Sequence, residues 1–505
     1  MFNENKVILS NSCNLMISQK LKETKVKKIK LPSTPKKKII KKNEGPINME
    51  DSWSIIDSHF TQYGNKIFIK HQLDSYNDFI INKIADIISQ SNPLVVYHEL
   101  IEDLNKYKYE IQIRFNNSYF TEPIITENDG STIPMTPQQA RLRNFTYSAP
   151  LYIDVEVKTI ERSGDNYENI ITDTNVLKNI NIGKIPIMLR STFCRLNKRD
   201  NTSTNDVGEC KYDPGGYFII NGAEKVIVSQ EKIADNIMYI FKVNKNNNKT
   251  ICVAEIKSMS EKKFSIPKNV SVKLIRKNYT SVLRISIPNI RQEIPLFIIF
   301  RALGIESDKE ILKYILHDIS PNNNKLVYLV RESIVEAVDV ISQVDAYDYI
   351  IRFMASYGQP KDIKLDNDRK RGYIRDILEK DFLPHVGTNI KNKVFYLGYM
   401  TQSLLKCHIG LREYDDRDSY VNKRIELPGI LLSNLFRQYF TKLTKDMRNS
   451  IMKEVNSCHG EINIKNIVSQ TNIYKLMKST TLETGIKYSL ATGNWGIKTA
   501  SNKVG

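Results

Sequence analysis

No stretch of this chain leaves its backbone less freedom than 208–236, which reads GECKYDPGGYFIINGAEKVIVSQEKIADN. Asp213-Pro214-Gly215-Gly216 is a turn, because proline fixes one dihedral and glycine accepts the positive φ that other residues avoid. The aromatic and β-branched run Tyr217-Phe218-Ile219-Ile220 then fits an extended strand. Asn221-Gly222 tolerates the two positive φ values of a two-residue hairpin turn, and Val226-Ile227-Val228 supplies the returning strand. The segment is predicted to be a β-hairpin.

The elements around it are of both kinds. Phe79, Ile80, Ile84, Ile87 and Ile88 follow helical spacing inside a segment, 52–88, that also carries a buried-looking Trp53. Tyr109–Phe120 and Tyr147–Lys158 alternate as strands do. Short strands are predicted across 236–300, among them Cys252–Ile256 and Val270–Ile275, and helices across 306–355 and around Leu404-Leu405. The clearest helix runs from about Leu431 to Val455, with Leu432, Leu435, Phe436, Tyr439, Leu443, Met447 and Ile451 in one stripe and Arg437, Lys445 and Arg448 on the polar side. Asn246–Asn248 and Asn322–Asn324 read as loops. A chain of 505 residues exceeds one ordinary domain, so we expect an α+β, multidomain fold of mixed sheets and helices, with roughly two to four domains.

Charge and cysteine usage narrow the class. The net charge is +18, and a soluble chain this basic often meets nucleic acid, although a solvated lysine-rich surface gives the same number. Within 1–42, twelve lysines stand against Glu4 and Glu23. Like charges at that density resist folding, so 1–46 is expected to be a disordered basic tail. The six cysteines are widely scattered, with no C-x-x-C pair and hence no zinc signature. No apolar run reaches the length of a membrane span, since the strongest, Ile294–Phe300, stops at Arg301. No signal peptide is visible at the N-terminus.

Two motifs invite chemistry and lose it on inspection. Gly493-Asn494-Trp495-Gly496-Ile497-Lys498-Thr499 has the look of a phosphate loop, but Ile497 stands where glycine must precede Lys-Thr, and no helical pattern follows. Asp415-Asp416-Arg417-Asp418 could attract a hard cation, yet Arg417 lies inside it and Lys423 and Arg424 follow, so an ion-paired structural turn is the better reading. Spacing gives no nucleophilic or acid–base constellation. From the residues alone the chain is a basic multidomain α+β protein without a visible active site.

Nine segments in order resemble the second-largest subunit of eukaryotic-type multisubunit DNA-dependent RNA polymerases. They are HQLDSYNDFI (His71–Ile80), ARLRNFTYSAPLY (Ala140–Tyr152), PIMLRSTFC (Pro186–Cys194), the hairpin segment, IPLFIIFRALGI (Ile294–Ile305), DFLPH (Asp381–His385), FYLGYM (Phe395–Met400), DDRDSYVNKRIEL (Asp415–Leu427) and LATGNWG (Leu490–Gly496). The resemblance implies a protrusion domain at 47–235 plus 360–418, a lobe at 236–359 and a truncated fork at 419–505. It implies one wall of the DNA cleft and a fork beside the RNA–DNA hybrid, in an enzyme that is catalytic only when assembled. Alternatives are a stand-alone nucleic-acid-binding protein or an assembly scaffold derived from that fold.

The resemblance also assigns roles. Lys423 and Arg424 match the first fork loop, near the upstream hybrid, and Lys487, Lys498 and Lys503 fall near the fork. Lys225, in the hairpin, is either a nucleic-acid contact or a structural one. Lys503 stands where the family usually has arginine, which keeps the charge and loses the planar bidentate donor. Val421-Asn422 replaces the usual glycine-lysine. No catalytic or metal-ligating residue is expected in this segment, and the magnesium and zinc of the complete enzyme belong outside it. Expected partners are the largest subunit, smaller subunits, the C-terminal remainder of the second-largest subunit, DNA and the hybrid, with no membrane. The lysine- and asparagine-rich character points to a large DNA virus, hence host cytoplasm or virion, with the nucleus as the alternative.

Overall fold

The computed structural model describes residues 7–9, 48–101, 106–163, 169–198, 208–210, 212–243, 249–261, 264–277, 279–317, 324–354, 367–457 and 467–496. The chain forms two compact units, Met1–Gln230 with Glu426–Gly505, and Glu231–Ile425.

The first unit is a twisted antiparallel sheet backed by helices. After β1 (Val7–Leu9) come α1 (Met49–Tyr63), α2 (Lys70–Asp78), a π-helical turn (Phe79–Lys83) and α3 (Ile84–Gln90). The apolar positions that follow helical spacing, Phe79, Ile80, Ile84, Ile87 and Ile88, are all buried. Strands β2 (Leu94–Ile101), β3 (Lys106–Phe120), β4 (Ser148–Ser163) and β5 (Asn169–Pro186) follow. One edge of β3 pairs with β2 and, at its far end, with β1 (Val7↔Phe120), while the other pairs with β4, whose outer neighbour is β5. On β3, Tyr109, Ile111, Ile113 and Phe115 are buried and alternate with more exposed polar residues, which is why this run is a strand with one face on a core. The hairpin of β6 (Phe218–Ile220) and β7 (Ala223–Lys225) closes this part of the chain.

The second unit begins with β8 (Gln230–Ile233) and continues into a five-stranded antiparallel meander: β9 (Met238–Lys242), β10 (Thr250–Ser258), β11 (Lys268–Lys277), β12 (Thr280–Ser286) and β13 (Ile294–Pro295). Ile240 faces Ala254, Ala254 faces Val272, and Val272 faces Ile285, so one buried row runs across the sheet. Helix α4 (Leu296–Ala302) is buried along its whole length. Its Arg301 is tolerated there because its guanidinium donates to Asp308 at 2.6 Å and to the carbonyls of Ala337 and Val340. Helices α5 (Asp308–Leu316) and α6 (Ile390–His408) pack together, with Gln402 Nε2 donating to the Leu316 carbonyl at 3.1 Å. Strand β14 (Lys423–Glu426) pairs with β8 where the chain leaves this unit.

The chain then returns to the first unit as α7 (Pro428–Ser457) and α8 (Ser479–Thr492). The predicted stripe of α7 is buried throughout, with Phe436 against Phe79 and Phe440 against Phe115, so this helix lies on both the helical turn and the sheet. Contact with α2 is closest at Gly429, where a Cβ would fall 1.9 Å from the Ser75 carbonyl oxygen.

Four expectations change. Trp53 is 66% exposed, because helical amphipathicity cannot say whether a partner covers the apolar face. The returning strand of the hairpin is 223–225, not 226–228: a two-residue turn at Asn221 (φ 50°) and Gly222 (φ 81°) obliges pairing to resume at once, as Ile220↔Ala223. Val226 and Val228 are exposed instead. Part of the expected basic tail, Val7–Leu9, is a paired strand, the rest of 1–46 lying outside the described residues. Finally, the segment expected to return to the first domain at 360–418 shares, over its described residues 367–418, one core with the described residues of 236–359: Ile374, Phe382, Leu397, Met400 and Leu404 cluster with Ile240, Val272 and Phe300. Residues 246–248 and 322–323 lie outside the described residues, and Asn324 opens a helix.

Candidate nucleic-acid interface

The hairpin is held by groups far away in sequence. Gly222 N–H donates to the Phe145 carbonyl at 3.0 Å, and Asn221 N–H to Thr146 Oγ1 at 3.2 Å. A Cβ at position 222 would also lie 2.5 Å from Asn144 Oδ1, so glycine serves both the dihedral and the approach. Arg141 ties the region together, donating to Glu209 at 2.7 Å, Glu224 at 2.8 Å and the Tyr217 hydroxyl at 2.8 Å. Burial works against its charge, but the Glu209 and Glu224 carboxylates outweigh that and hold its pKa above the ordinary arginine value. Lys225 ends β7 opposite Phe218, half-buried, with no carboxylate partner among the described residues.

In the second unit the acidic turn is knitted into the sheet. Asp415 accepts the Ile240 N–H at 2.8 Å and returns its own N–H to the Ile240 carbonyl at 2.9 Å. It also pairs with Arg412 at 3.1 Å. Asp416 accepts the Asp418 N–H, and Arg417 stacks 3.6 Å over the Phe241 ring. The turn is therefore structural, as its interleaved charges predict, although Arg412 and Lys423 rather than Arg417 supply the ion pairs. Lys423 lies between Glu231 (3.3 Å) and Asp418 (3.8 Å) with its side chain 19% exposed. Arg424 is exposed, and its Nη1 donates to the carbonyls of Val421 and Lys423. A guanidinium has five donors, so most of its N–H groups are left to face outward.

In the first unit α8 packs on α7 at Gly485, where a Cβ would lie 2.2 Å from the Tyr439 ring. Lys487 is half-buried on this helix and has no ion-pair partner among the described residues. The loop after α8 is anchored by Trp495, whose Nε1–H donates to the Leu431 carbonyl at 3.2 Å. On α7 nearby in sequence, Arg437 is half-buried, and burial pulls its pKa below the usual arginine value.

Of the six candidate residues, the structure thus sets Lys423 and Arg424 side by side on β14. Lys225 and Lys487 are in the other unit, on separate elements. Lys498 and Lys503 lie outside the described residues. Arg141 was missed as an organising residue, because its partners are 68 and 83 positions away and no local pattern signals them. Among the described residues no three His, Cys, Asp or Glu side chains converge as a metal-holding group, and no helix is long and apolar enough to cross a membrane.

Comparison with known proteins adds a consistent result. Residues 68–481 match the family model described as RNA polymerase beta subunit. The chain is 39% identical over 465 residues to DNA-directed RNA polymerase II subunit 2 of Arabidopsis thaliana, covering 89% of this chain and 37% of that protein. It is 37% identical to DNA-directed RNA polymerase II subunit RPB2 of Encephalitozoon cuniculi, again over 37% of the relative's length. Against DNA-directed RNA polymerase subunit Rpo2N of the archaeon Methanothermobacter thermautotrophicus it is 31% identical, covering 88% of this chain and 81% of the relative. The chain therefore spans about two-fifths of these eukaryotic relatives and most of the archaeal one.

Proposed function

The chain belongs to the second-largest (beta) subunit family of RNA polymerases, corresponding to its N-terminal portion, and from this we propose that it works inside an assembled DNA-directed RNA polymerase as one wall of the DNA cleft and as part of the fork beside the RNA–DNA hybrid. The observation that carries the reading is the unbroken match over 68–481, which takes in both compact units. In this reading the first unit supplies the protrusion and most of the fork, and the second carries the lobe together with the opening residues of the fork, Lys423 and Arg424 among them. The partners are the largest subunit, the smaller subunits, the remainder of the second-largest subunit, and the nucleic acids. The relatives named are eukaryotic and archaeal, which favours the nucleus over a viral or cytoplasmic setting.

The physical task suits cations without catalytic groups. A polymerase must hold a hybrid firmly and still let it slide, and contacts to phosphates do so because they ignore base sequence. Each neutralised phosphate releases counterions, so the grip weakens as salt rises. Of the candidate residues, exposed Arg424 and unpaired Lys487 and Lys225 are placed to make such contacts, with Lys498 and Lys503 proposed beside them. Nucleotide addition itself would be served by magnesium held elsewhere in the enzyme.

Photo-crosslinking tests this directly. An assembled polymerase containing the chain is loaded on an RNA–DNA scaffold with a photoreactive group on the hybrid backbone, and adducts are mapped by mass spectrometry. Adducts on the peptides carrying Arg424 and Lys487 are expected. Adducts confined to other subunits would defeat the reading.

A further inference from the structure

Helix α1 carries a ridge of large apolar side chains that none of the described residues covers. Met49, Trp53, Ile56 and Phe60 are 80%, 66%, 46% and 47% exposed. Their spacing of four, three and four places them on one helical face. Phe68, 72% exposed, extends the ridge, its ring centred 6.3 Å from that of Phe60. Single exposed apolar residues are common on folded proteins, but a contiguous stripe holding a tryptophan and two phenylalanines marks a surface that another surface covers.

Charge identifies the kind of cover. Although the chain is +18 overall, 49–63 holds Glu50, Asp51 and Asp57 and neither lysine nor arginine. An acidic rim repels nucleic acid and anionic membranes, whose amphipathic ligands carry lysine and arginine on the polar face. It also disfavours a second copy of the same helix, which would bring like rims together. What fits is an apolar groove edged with basic residues, taking the helix by its i, i+4, i+7, i+11 anchors.

We propose that this ridge docks into such a groove on the part of the second-largest subunit that the eukaryotic relatives possess and this chain's match does not span, whether that part is joined to the chain or separate from it. The inference rests on the reading of the chain as one segment of a larger subunit. That unspanned part is the greater share of those relatives' length. Helix α1 itself lies just ahead of the family match, which starts at residue 68.

The test uses the full 505-residue chain, tagged and co-expressed with the polypeptide corresponding to the rest of the subunit. The double variant Trp53→Asp, Phe60→Asp is expected to lower capture of that polypeptide about thirtyfold or more, as loss of central interface aromatics does. Its circular dichroism and unfolding midpoint stay those of the parent, because both side chains are exposed. Tyr279→Asp, an exposed aromatic of the other unit, leaves capture unchanged. If the parent chain captures the polypeptide and the double variant captures it equally, the docking proposal is overturned while the segment reading stands. If the parent captures nothing, both fall. A parent chain that dimerises, with a variant that is monomeric, assigns the ridge to a second copy and overturns the proposal as stated.

Discussion

The turn at 412–424 and the helix pair α7–α8 both carry cations, and those cations do different things. In the turn, Lys423 lies between two carboxylates, Arg412 pairs with Asp415, and Arg417 is seated on Phe241. On α8, Lys487 has no such partner among the described residues. Sequence treats these cations alike. The structure separates charges that hold the fold together from charges available to a polyanion, and only the second kind can release counterions on binding.

The largest expected effect tests the internal use of charge at its extreme. Lys393 on α6 is fully buried, and its Nζ donates to the carbonyls of Leu378, Glu379 and Phe382 at 2.9, 2.6 and 2.5 Å. Burial pulls its pKa down to about 8, while the Glu379 and Asp381 carboxylates act in the opposite direction. Lys393→Met leaves three carbonyl acceptors, two of them buried, without their donor and is expected to destabilise the second unit by about 3 kcal/mol in urea unfolding. Lys487→Met should change stability by less than about 0.5 kcal/mol. Equal effects would erase the contrast.

Next in size is Asp415→Ala, which removes both the acceptor for the Ile240 N–H and the partner of Arg412, for an expected loss of about 1–2 kcal/mol. Binding sharpens the comparison from the other side. In the assembled enzyme, Lys487→Ala should lower affinity for an RNA–DNA hybrid a few-fold and flatten its salt dependence by about one counterion. Lys423→Ala should do less, since its charge is already compensated by Glu231 and Asp418. A steeper loss at Lys423 than at Lys487 would reverse the assignment.

The smallest effect is a pH dependence of the second unit. Burial lowers the pKa of His385, whose Nδ1 lies 2.7 Å from Ser258 Oγ, and burial together with Lys242 lowers that of His408. A histidine with a depressed folded pKa contributes stability that is fully present above the unfolded value near 6.5 and is lost as pH falls through the folded value. Unfolding midpoints of the second unit should therefore decline below pH 6.5, and His385→Asn should reduce the slope.

Much of the fold was legible because it depends on local periodicity. The α7 stripe, the alternation of β3 and β4, and the Asn221-Gly222 turn each declare themselves within a few residues. What was not legible depends on distant partners. Trp53 reads as core because large apolar side chains usually are, yet nothing in a sequence says whether a helix face meets its own domain. The placement of 360–418 failed for the same reason, since the resemblance supplied a boundary while the contacts of Met400 and Leu404 with the meander decide the packing. Among the candidate residues, side-chain type located the cations, but only Glu231, nearly two hundred positions before Lys423, shows that this charge is neutralised.

The most direct measurement is purification of the tagged chain from its own source, followed by subunit identification and nucleotide incorporation on an RNA–DNA scaffold. The chain is expected to emerge with the largest subunit and the rest of the second-largest subunit, and only fractions containing all of them are expected to extend the RNA. Extension by the chain alone, or a fully active polymerase from which it is absent, would contradict it.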